Sequence, residues 1–315
     1  MIAPRAISRP RLPAIADMSF PAARDTFNLW MRALRIHQWS KNALLFLPGL
    51  LSHRILESNV LSASALAFLA FSLCTSGVYV LNDLHDMATD RRHPRKRHRP
   101  FAAGRLTARS GYAALFTLLL AAICLACTVG YPFAAVLCGY YFITWLYTLR
   151  LKYIALVDVM KLAALYTLRI IAGSAATTIP VSFWLLAFSM FIFLSLAVAK
   201  RYAEVNEAAS SDPASISPRG YSADDLPFLL ATGVAAGYCM VVVMAVYINS
   251  GDSLLLYQNR QPLWLVCLLL LFWISRMWLL TTRGKMPDDP VAFALRDLTS
   301  WMVLALIALI VLLAL

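Results

Sequence analysis

Charged side chains are scarce in this chain. Asp, Glu, Lys and Arg make up 14% of its 315 residues, whereas a soluble domain carries about 25%. Hydrophobic residues reach 61%, and the mean hydropathy is +0.69. Apolar runs of near-membrane length recur up to the C-terminus, and each can span a bilayer. The two soluble domains that length alone would allow are therefore excluded, and we predict one all-helical, polytopic membrane domain.

Cysteine and histidine are also few, with six and five residues respectively. All six cysteines lie in apolar runs. Cys124 and Cys127 form a CxxC motif, but no histidine accompanies it and no water reaches it. Such a pair is typical of small packing residues in a membrane helix. The sequence therefore predicts neither a disulfide nor a zinc site.

Acidic residues are outnumbered by basic ones, 16 to 28, so the net charge is +12. In a soluble protein this excess would suggest nucleic acid, but positive loops facing anionic lipid and anionic substrate explain it without nucleic acid. Turn signals and apolar runs predict nine spans, at about 43–52, 60–81, 109–129, 133–149, 155–176, 182–199, 226–249, 263–281 and 298–315. Alternate loops hold most of the bases, whereas the opposite loops hold only Arg54 and Arg260. This asymmetry predicts an inner-membrane protein with its N-terminus and motif loops in the cytoplasm.

Residues 1–26 are predicted to form a mobile, basic cytoplasmic tail, because their prolines and arginines precede no apolar core of signal-peptide length. Residues 27–315 are predicted to form a single catalytic membrane domain. Within it, residues 28–38 are amphipathic and basic, and they suit the membrane interface.

The stretch 82–100 contains the densest group of polar residues. Asn82, Asp83, Asp86 and Asp90 come first. If the preceding helix continues, the three carboxylates lie within about 60° of arc on one face, where a divalent cation among them would relieve their repulsion. Mg²⁺ prefers oxygen ligands that it shares with substrate phosphates, so these four residues are the predicted metal ligands.

Basic residues follow the acids at once, namely Arg91, Arg92, Arg95, Lys96, Arg97 and Arg99. Because bases suit phosphate oxygens, acids for a metal beside bases for phosphate predict a diphosphate site. A solvated, positive-inside loop is the alternative. It accounts for the bases but not for the spaced acids.

Charged residues also occur within or beside the apolar runs. Asp158, Lys161 and Arg169 share one stripe of the fifth span. Charges inside a bilayer are costly and usually face an interior cavity, so the stripe predicts a central polar cavity open to the cytoplasm. An internal ion pair that only fixes helix packing is the alternative. Trp39 and Lys41 precede the first run, where either Lys41 enters that cavity or the two form an interfacial belt.

The NDxxDxxxD pattern from Asn82 to Asp90, on a multi-span helical chain, resembles the UbiA-type intramembrane prenyltransferase superfamily. The resemblance implies a nine-helix bundle, a central cavity and Mg²⁺ holding a diphosphate at the cytoplasmic mouth. Seven blocks, in register from about residue 30 to 300, resemble its decaprenyl-phosphate phosphoribosyltransferase branch. They are RIHQWSKN (35–42), NDLHDMATDRRHPRKRHRP (82–100), YTLRLKYIALVD (147–158), LRIIAG (168–173), IPVSFW (179–184), KRYAE (200–204) and LRD (295–297).

This branch transfers 5-phosphoribose from phosphoribosyl diphosphate to a polyprenyl phosphate and releases diphosphate. The resemblance therefore implies a Mg²⁺-dependent enzyme. Its product would lead, after dephosphorylation and epimerisation by separate proteins, to a lipid-linked arabinofuranose donor for a cell-surface glycan. The prenyl chain length and an oligomeric state stay open.

The resemblance also implies residue roles. Asp83, Asp86 and Asp90 would hold Mg²⁺, with Asn82 as a ligand or an orienting amide. The 91–99 bases, with Lys41 and Lys152, are candidates for the diphosphate. Further substrate-binding candidates from the same blocks are Gln38, Tyr147, Glu204 and Arg296.

The KRYAE block is where this chain departs from aromatic prenyltransferases, which carry a second acid-rich motif after their sixth helix. Lys200, Arg201 and Tyr202 are therefore candidates for binding the 5-phosphate of the donor. Asp158 would orient Lys161 or a ribose hydroxyl, and Arg169 with Lys161 would orient either anion. KRYAE is alternatively positive-inside charge that closes a helix.

The sequence leaves three alternative functions to consider. An aromatic prenyltransferase shares the first motif and the fold, but the missing second acid cluster argues against it. A transporter of phosphorylated lipid or sugar would use the same charges only to bind, yet the motif blocks show no repeat of the kind that paired transporter halves give. A non-catalytic scaffold leaves the buried charges without a reason.

Overall fold

A computed structural model describes residues 23–93, 96–149, 154–211, 219–287 and 289–315. Within these ranges the chain forms helices and connecting turns, with no β-strand. The first 22 residues of the predicted tail, together with Arg95 and Lys152, lie outside the described residues.

Long helices make up most of the described chain. They are α3 (Ser58–His85), α5 (Ala108–Val129), α6 (Tyr131–Leu149), α7 (Val157–Thr177), α8 (Phe183–Ser211), α9 (Leu226–Ile248), α11 (Leu263–Thr282) and α13 (Leu298–Ala314). The short α-helices are α1 (Ala23–Ala33), α2 (Leu47–Leu51), α4 (Met87–Asp90), α10 (Gly251–Leu256) and α12 (Pro290–Ala294), and 3-10 helices cover Ile36–Phe46, Lys96–His98 and Ala223–Asp225. In the described part, six helices are long and apolar enough to cross a bilayer. The prediction of an all-helical, multi-pass membrane protein is confirmed, while the count of nine spans stays a prediction.

Two predicted helix boundaries were wrong. The first predicted span, 43–52, is not one α-helix, because the chain runs as a 3-10 helix to Phe46 and then turns into α2. Pro48 lies at the start of α2, where it lacks the N–H that a continuous helix would need. The sixth span was expected to close with KRYAE, but α8 continues to Ser211. The two alanines that follow favour helix, and the next proline is Pro213.

The two largest of the four hydrophobic clusters in the described residues lie in different parts of the bundle. One joins α8, α9, α11 and α13, and the other joins α3, α5, α6 and α7. Polar contacts join the last turns of α3 and α6, through Asn82 and Thr148, and the ends of α7 and α8, through Asp158 and Arg201. We call this end of the molecule, where α3, α6 and α8 finish and α7 begins, the polar end. It is the place where most of the predicted site residues lie.

Gly173 allows the Ile36–Phe46 3-10 helix to lie directly on α7. A Cβ at this position would overlap the backbone carbonyl of Leu45, which is fully buried. Backbone cannot yield as a flexible side-chain tip can, so the close approach of these two elements requires glycine.

We therefore expect Gly173→Ala to destabilise the protein by about 1–3 kcal/mol and to lower the temperature of thermal unfolding in detergent. Gly139→Ala is the matched control, because Gly139 lies in α6 and a Cβ added there would meet no atom within 4 Å. That substitution should stabilise the helix slightly, by about 0.5–1 kcal/mol. Equal melting temperatures for the two variants would contradict the close packing of the 3-10 helix on α7.

Candidate active site

Two buried carboxylates share one guanidinium at the end of α3. Asp83 and Asp90 are each 3% exposed. Nη1 of Arg99 donates to Oδ1 of Asp83 at 3.1 Å and to Oδ2 of Asp90 at 2.7 Å. Nη2 of Arg35 donates to the same Oδ1 of Asp83 at 2.7 Å. The two acids are therefore neutralised by two arginines, one from the segment after α1 and one from the loop before α5.

The helix expected to run on through Asp90 is interrupted at Asp86. α3 ends at His85, and Asp86 has a ψ near 4° before α4 begins. Asp83 and Asp90 both accept hydrogen bonds from Nη1 of Arg99. Asp86 does not share this donor, and its side chain is half-buried. Among the described residues, three His, Cys, Asp or Glu side chains do not converge on one point. The continuous carboxylate face was thus wrong, and a converging pair replaces it.

The pair nevertheless has donor chemistry that fits Mg²⁺. Carboxylate oxygens are the ligands this ion takes, and it keeps several positions for water or phosphate oxygen. Asp83 and Asp90 converge on a single cationic nitrogen, so their geometry already accommodates positive charge between them. Asn82 lies one residue before Asp83, and its amide oxygen accepts a hydrogen bond from Thr148 Oγ1 at 2.8 Å. This bond suits an orienting amide.

A cavity of about 260 Å³ opens beside Asp83. The lining residues come from the end of α1 and the segment after it, the 3-10 helix, the end of α3 and the loop before α5. They are Arg32, Arg35, His37, Gln38, Asp83, His98, Arg99 and Pro100. Three arginines and two histidines face one acid here. The lining therefore suits an anion bearing several oxygens.

The described bases of the predicted block, apart from Arg99, do not line this cavity. Arg91, Lys96 and Arg97 are exposed, and Nε of Arg91 donates to the carbonyl of Ala102 at 3.3 Å. Among the described bases of the block, Arg99 is the one that contacts the Asp83 and Asp90 carboxylates.

A second charged cluster lies where α7 begins and α8 nears its end. Asp158 and Arg201 are both 0% exposed and form an ion pair, and Arg201 also pairs with Glu204. The Tyr221 hydroxyl donates to Asp158 Oδ1 at 2.8 Å, and Nη1 of Arg219 lies 3.5 Å from Oε2 of Glu204. Arg201 is thus held by carboxylates on two sides. For it to bind a 5-phosphate, these ion pairs would have to open.

The neighbouring bases are differently placed. Nζ of Lys161 lies 3.9 Å from the ring centroid of Tyr147, an arrangement typical of a cation–π contact. Nζ of Lys200 lies 4.0 Å from Oε1 of Glu204, and its side chain is 31% exposed. Tyr202 packs edge-on against Trp278. Lys161 and Lys200 are therefore held more loosely than Arg201.

Arg169 is buried in the bundle, 6% exposed, and all three of its nitrogens are engaged. Nε donates to Asn42 Oδ1 at 2.9 Å, Nη1 to the carbonyl of Leu165 at 2.6 Å, and Nη2 to the Tyr140 hydroxyl at 3.1 Å. The guanidinium thus ties the 3-10 helix to α6 and α7. This network contributes to helix packing through neutral partners and not through the internal ion pair considered as the alternative. A role of Arg169 in orienting an anion stays a prediction.

Lys41 forms an ion pair with Asp289, which lies at the start of α12. Burial by itself would raise the pKa of the Asp289 carboxyl, but the Lys41 ammonium and the N–H of Ala292 outweigh it and hold the pKa below its ordinary value of 3.8. Gln38 lines the cavity described above, and Arg296 is exposed. Lys41 is therefore paired and largely buried.

This depressed pKa gives a pH prediction. The ion pair stabilises the protein above the ordinary carboxyl pKa, and its contribution is lost only as pH falls through the lowered value. We expect Asp289→Asn to lower the melting temperature by an amount that stays constant between about pH 5 and pH 8, and to match the wild type only in stronger acid. A difference that vanished near neutral pH would show that another group governs it.

Several residues of these clusters were not singled out from the sequence. They are Arg32, Arg35, His37, His98, Arg219, Tyr221 and Asp289. Arg35 and His37 lie within the RIHQWSKN block, so that block held a signal for them. Arg219 and Asp289 lie in loops where hydropathy has no pattern, and no sequence signal distinguished them.

A family model described as the UbiA prenyltransferase family matches residues 45–307. The chain is 40% identical over 280 residues to an uncharacterized protein, y4nM, of Sinorhizobium fredii, in a match that covers 89% of this chain and 54% of that protein. The chain thus spans about half the length of this relative. It is 36% identical over 280 residues to the nodulation protein NoeC of Azorhizobium caulinodans, covering 88% of this chain and 90% of that one.

A third relative has a more specific name. The chain is 29% identical over 277 residues to the decaprenyl-phosphate phosphoribosyltransferase of Mycolicibacterium smegmatis, covering 85% and 86% of the two chains. Among solved structures, a UbiA homolog from Archaeoglobus fulgidus bound to GPP and Mg²⁺ has a TM-score of 0.66 at 16% identity, over 90% of this chain and 99% of that one. At this identity the likeness shows the fold alone.

Proposed function

This chain belongs to the UbiA prenyltransferase family, and we propose that it transfers 5-phosphoribose from phosphoribosyl diphosphate to a polyprenyl phosphate such as decaprenyl phosphate, with release of diphosphate. The observation that carries the proposal is the charge at the α7–α8 cluster. There the acids Asp158 and Glu204 are paired with Arg201. Arg201 is fully buried, unlike the partly exposed Arg35 and Arg99 at the α3 end, so it has no room to leave these acids to a second metal. Similarity to the Mycolicibacterium smegmatis phosphoribosyltransferase supports the same donor.

The Asp83 and Asp90 carboxylates would hold Mg²⁺, which would stabilise the negative charge that develops on the departing diphosphate. Arg35 and Arg99 would contact diphosphate oxygens from the adjoining cavity, with Asn82 orienting the carboxylates. Asp86 remains a proposed ligand through the open coordination positions. Lys200, with Lys161 beside it, would bind the 5-phosphate at the opposite cluster.

The reaction itself needs little proton transfer. An oxygen of the polyprenyl phosphate attacks C1 of the ribose, a new C1–O bond forms, and the bond from C1 to the diphosphate breaks. A phosphate monoester is already anionic near neutral pH, so no general base is required. Positioning of the two anions therefore supplies most of the catalysis.

The membrane setting follows from the charge pattern. We propose that the polar end faces the cytoplasm, where phosphoribosyl diphosphate is available, and that the lipid phosphate enters sideways from the inner membrane. The product would be polyprenyl-phosphoryl-5-phosphoribose. Separate phosphatase and epimerase steps would convert it into a lipid-linked arabinofuranose donor.

A transfer assay tests this proposal directly. Purified protein receives Mg²⁺, polyprenyl phosphate and phosphoribosyl diphosphate labelled in the ribose, and label is counted in the lipid phase. A parallel reaction contains prenyl diphosphate and an aromatic acid. We expect metal-dependent label in lipid from the first reaction alone. Product in the second reaction alone would establish an aromatic prenyltransferase. The absence of product from both reactions would favour a binding or transport role.

Lys200 provides a more local prediction. If its ammonium binds the 5-phosphate, Lys200→Ala should raise the KM for phosphoribosyl diphosphate about tenfold, the loss of one charge-assisted hydrogen bond, with a smaller change in kcat. Lys285→Ala removes an exposed lysine from the loop after α11 and should leave KM unchanged. An unchanged KM in Lys200→Ala would remove Lys200 from the donor site.

A further inference from the structure

We propose that Arg35 and Arg99 occupy the place of the divalent cation when it is absent, and that they pass from the carboxylates to the diphosphate when the cation binds. The cavity beside Asp83 is then the diphosphate subsite, and it becomes available only as the carboxylates take up metal. This inference rests on the proposed function in one respect, because it takes the ligand of the cavity to carry a diphosphate group.

The first observation is that one nitrogen serves both acids. Nη1 of Arg99 lies within hydrogen-bond distance of Oδ1 of Asp83 and Oδ2 of Asp90, and Arg35 donates to the same Asp83 oxygen. A cation that bridged the two carboxylates would need that position. The guanidinium and the metal ion therefore compete for one place.

The second observation concerns which partner can move. The side chains of Asp83 and Asp90 are 3% and 4% exposed, whereas those of Arg35 and Arg99 are 25% and 29% exposed. Arginine also has a long, flexible side chain, and both arginines line the cavity. The carboxylates thus stay fixed while the guanidinium groups have room to turn toward a ligand in the cavity.

The third observation is the balance of charge. Two carboxylates and two guanidinium groups sum to zero, so the cluster is neutral as it stands. A lone Mg²⁺ would leave two uncompensated positive charges in a largely buried place, which is costly. A diphosphate that arrives with the metal more than offsets these two positive charges, and the displaced arginines then pair with its oxygens. The two ligands should therefore bind together far better than either binds alone.

The backbone at Arg35 agrees with a fixed, functional placement. Arg35 has φ 51° and ψ 47° at the junction between α1 and the 3-10 helix, a left-handed conformation that costs free energy in a residue other than glycine. Its guanidinium also lies 4.6 Å from the ring centroid of Tyr79. The backbone of Arg35 is therefore held beside Asp83 at some cost in strain, while its partly exposed guanidinium has room to turn.

The first test measures cation binding without any substrate. Mn²⁺ is titrated into the full-length protein in detergent and followed by electron paramagnetic resonance. We expect Arg99→Gln to bind Mn²⁺ about tenfold more tightly than the wild type, because its competitor is gone. Arg105→Gln removes the same charge from an exposed position of the same loop and should leave Mn²⁺ affinity unchanged. Affinity in Arg99→Gln equal to or below that of the wild type would overturn the exchange.

The reciprocal test measures anion binding without metal. Inorganic diphosphate is titrated calorimetrically in the presence of a chelator. We expect Asp90→Asn to bind it about tenfold more tightly than the wild type, because Arg99 is released from one carboxylate. Asp224→Asn, an exposed acid outside the site, should behave as the wild type. No gain in Asp90→Asn would contradict the proposal.

Folding does not confound the two tests. Arg99→Gln leaves Asp90 buried without a partner, so its melting temperature should rise more on addition of Mn²⁺ than that of the wild type. If this variant does not fold, the titration of Asp90→Asn with diphosphate decides the question alone. The double variant Arg99→Gln/Asp90→Asn should fold, and it should bind neither Mn²⁺ nor diphosphate more tightly than the wild type. Neither probe contains ribose or lipid, so failure of the transfer assay would reject the donor without rejecting the exchange.

Discussion

Asp83→Asn is expected to slow transfer by on the order of 10²- to 10³-fold while leaving the protein folded. The amide matches the carboxyl in shape and still offers an oxygen to Arg35 and Arg99, but it lacks the negative charge that would hold Mg²⁺. The loss should appear in kcat measured with saturating donor and metal. Thermal unfolding of the same preparation would verify that the fold is intact.

The control for this substitution is Glu57→Gln. Glu57 is an exposed acid that pairs with Arg54 just before α3 begins, at the opposite end of that helix from Asp83. Its removal changes the net charge equally and should leave turnover unchanged. Full turnover in folded Asp83→Asn would mean that this carboxylate is not a metal ligand, and the proposed role of the α3 end would have to be abandoned.

Arg201→Gln is expected to destabilise the protein by about 3–5 kcal/mol, enough to remove most of the folded material. Arg201 and Asp158 are both fully buried and paired. Loss of the guanidinium leaves the buried carboxylate with the Tyr221 hydroxyl and with Arg219 at 3.9 Å. Glu204 loses the same partner. The measurement is the yield of monodisperse protein in detergent, together with its melting temperature.

The double variant Arg201→Gln/Asp158→Asn separates a structural from a binding role. It removes both buried charges, and Tyr221 can still donate to the asparagine oxygen at position 158, so we expect much of the lost stability to return. If Arg201 instead binds the 5-phosphate, the Arg201→Gln variant would have the melting temperature of the wild type. Its KM for phosphoribosyl diphosphate would be raised. That result would reverse the interpretation of KRYAE, since Lys200 and Arg201 would then act together on the donor.

Helix positions were largely predictable because hydropathy and turn residues are local properties. The predicted spans at 109–129, 226–249 and 263–281 each end within a residue of α5, α9 and α11. The errors arose where local signals compete. Around Pro48 the apolar run suggested a span, but the backbone follows a 3-10 path because it packs on α7 at Gly173. After KRYAE the polar residues suggested a loop, although their helix propensity sustains α8 to Ser211.

The site was predictable in its chemistry but not in its pairings. The spacing of Asp83, Asp86 and Asp90 pointed to a group of three carboxylates, and the basic block pointed to an anion. Which base meets the acids could not be deduced from the sequence, because Arg91, Lys96 and Arg97 have the same charge as Arg99 and lie as close along the chain. Only the tertiary structure shows that Arg99, which follows the Lys96–His98 3-10 helix, reaches Asp90.

The sequence by itself determined that this is a multi-pass, all-helical membrane protein with an acidic motif at the end of one helix, and the resemblance of its motif blocks implied the UbiA family. The first of these conclusions depends on composition, periodicity and motif spacing, which are properties of neighbouring residues. The tertiary structure alone decided that Arg35 meets Asp83 across 48 positions, and that Lys41 meets Asp289 across 248. Such ion pairs depend on which helices lie side by side, and buried charge is stable only where a distant segment supplies its counterion.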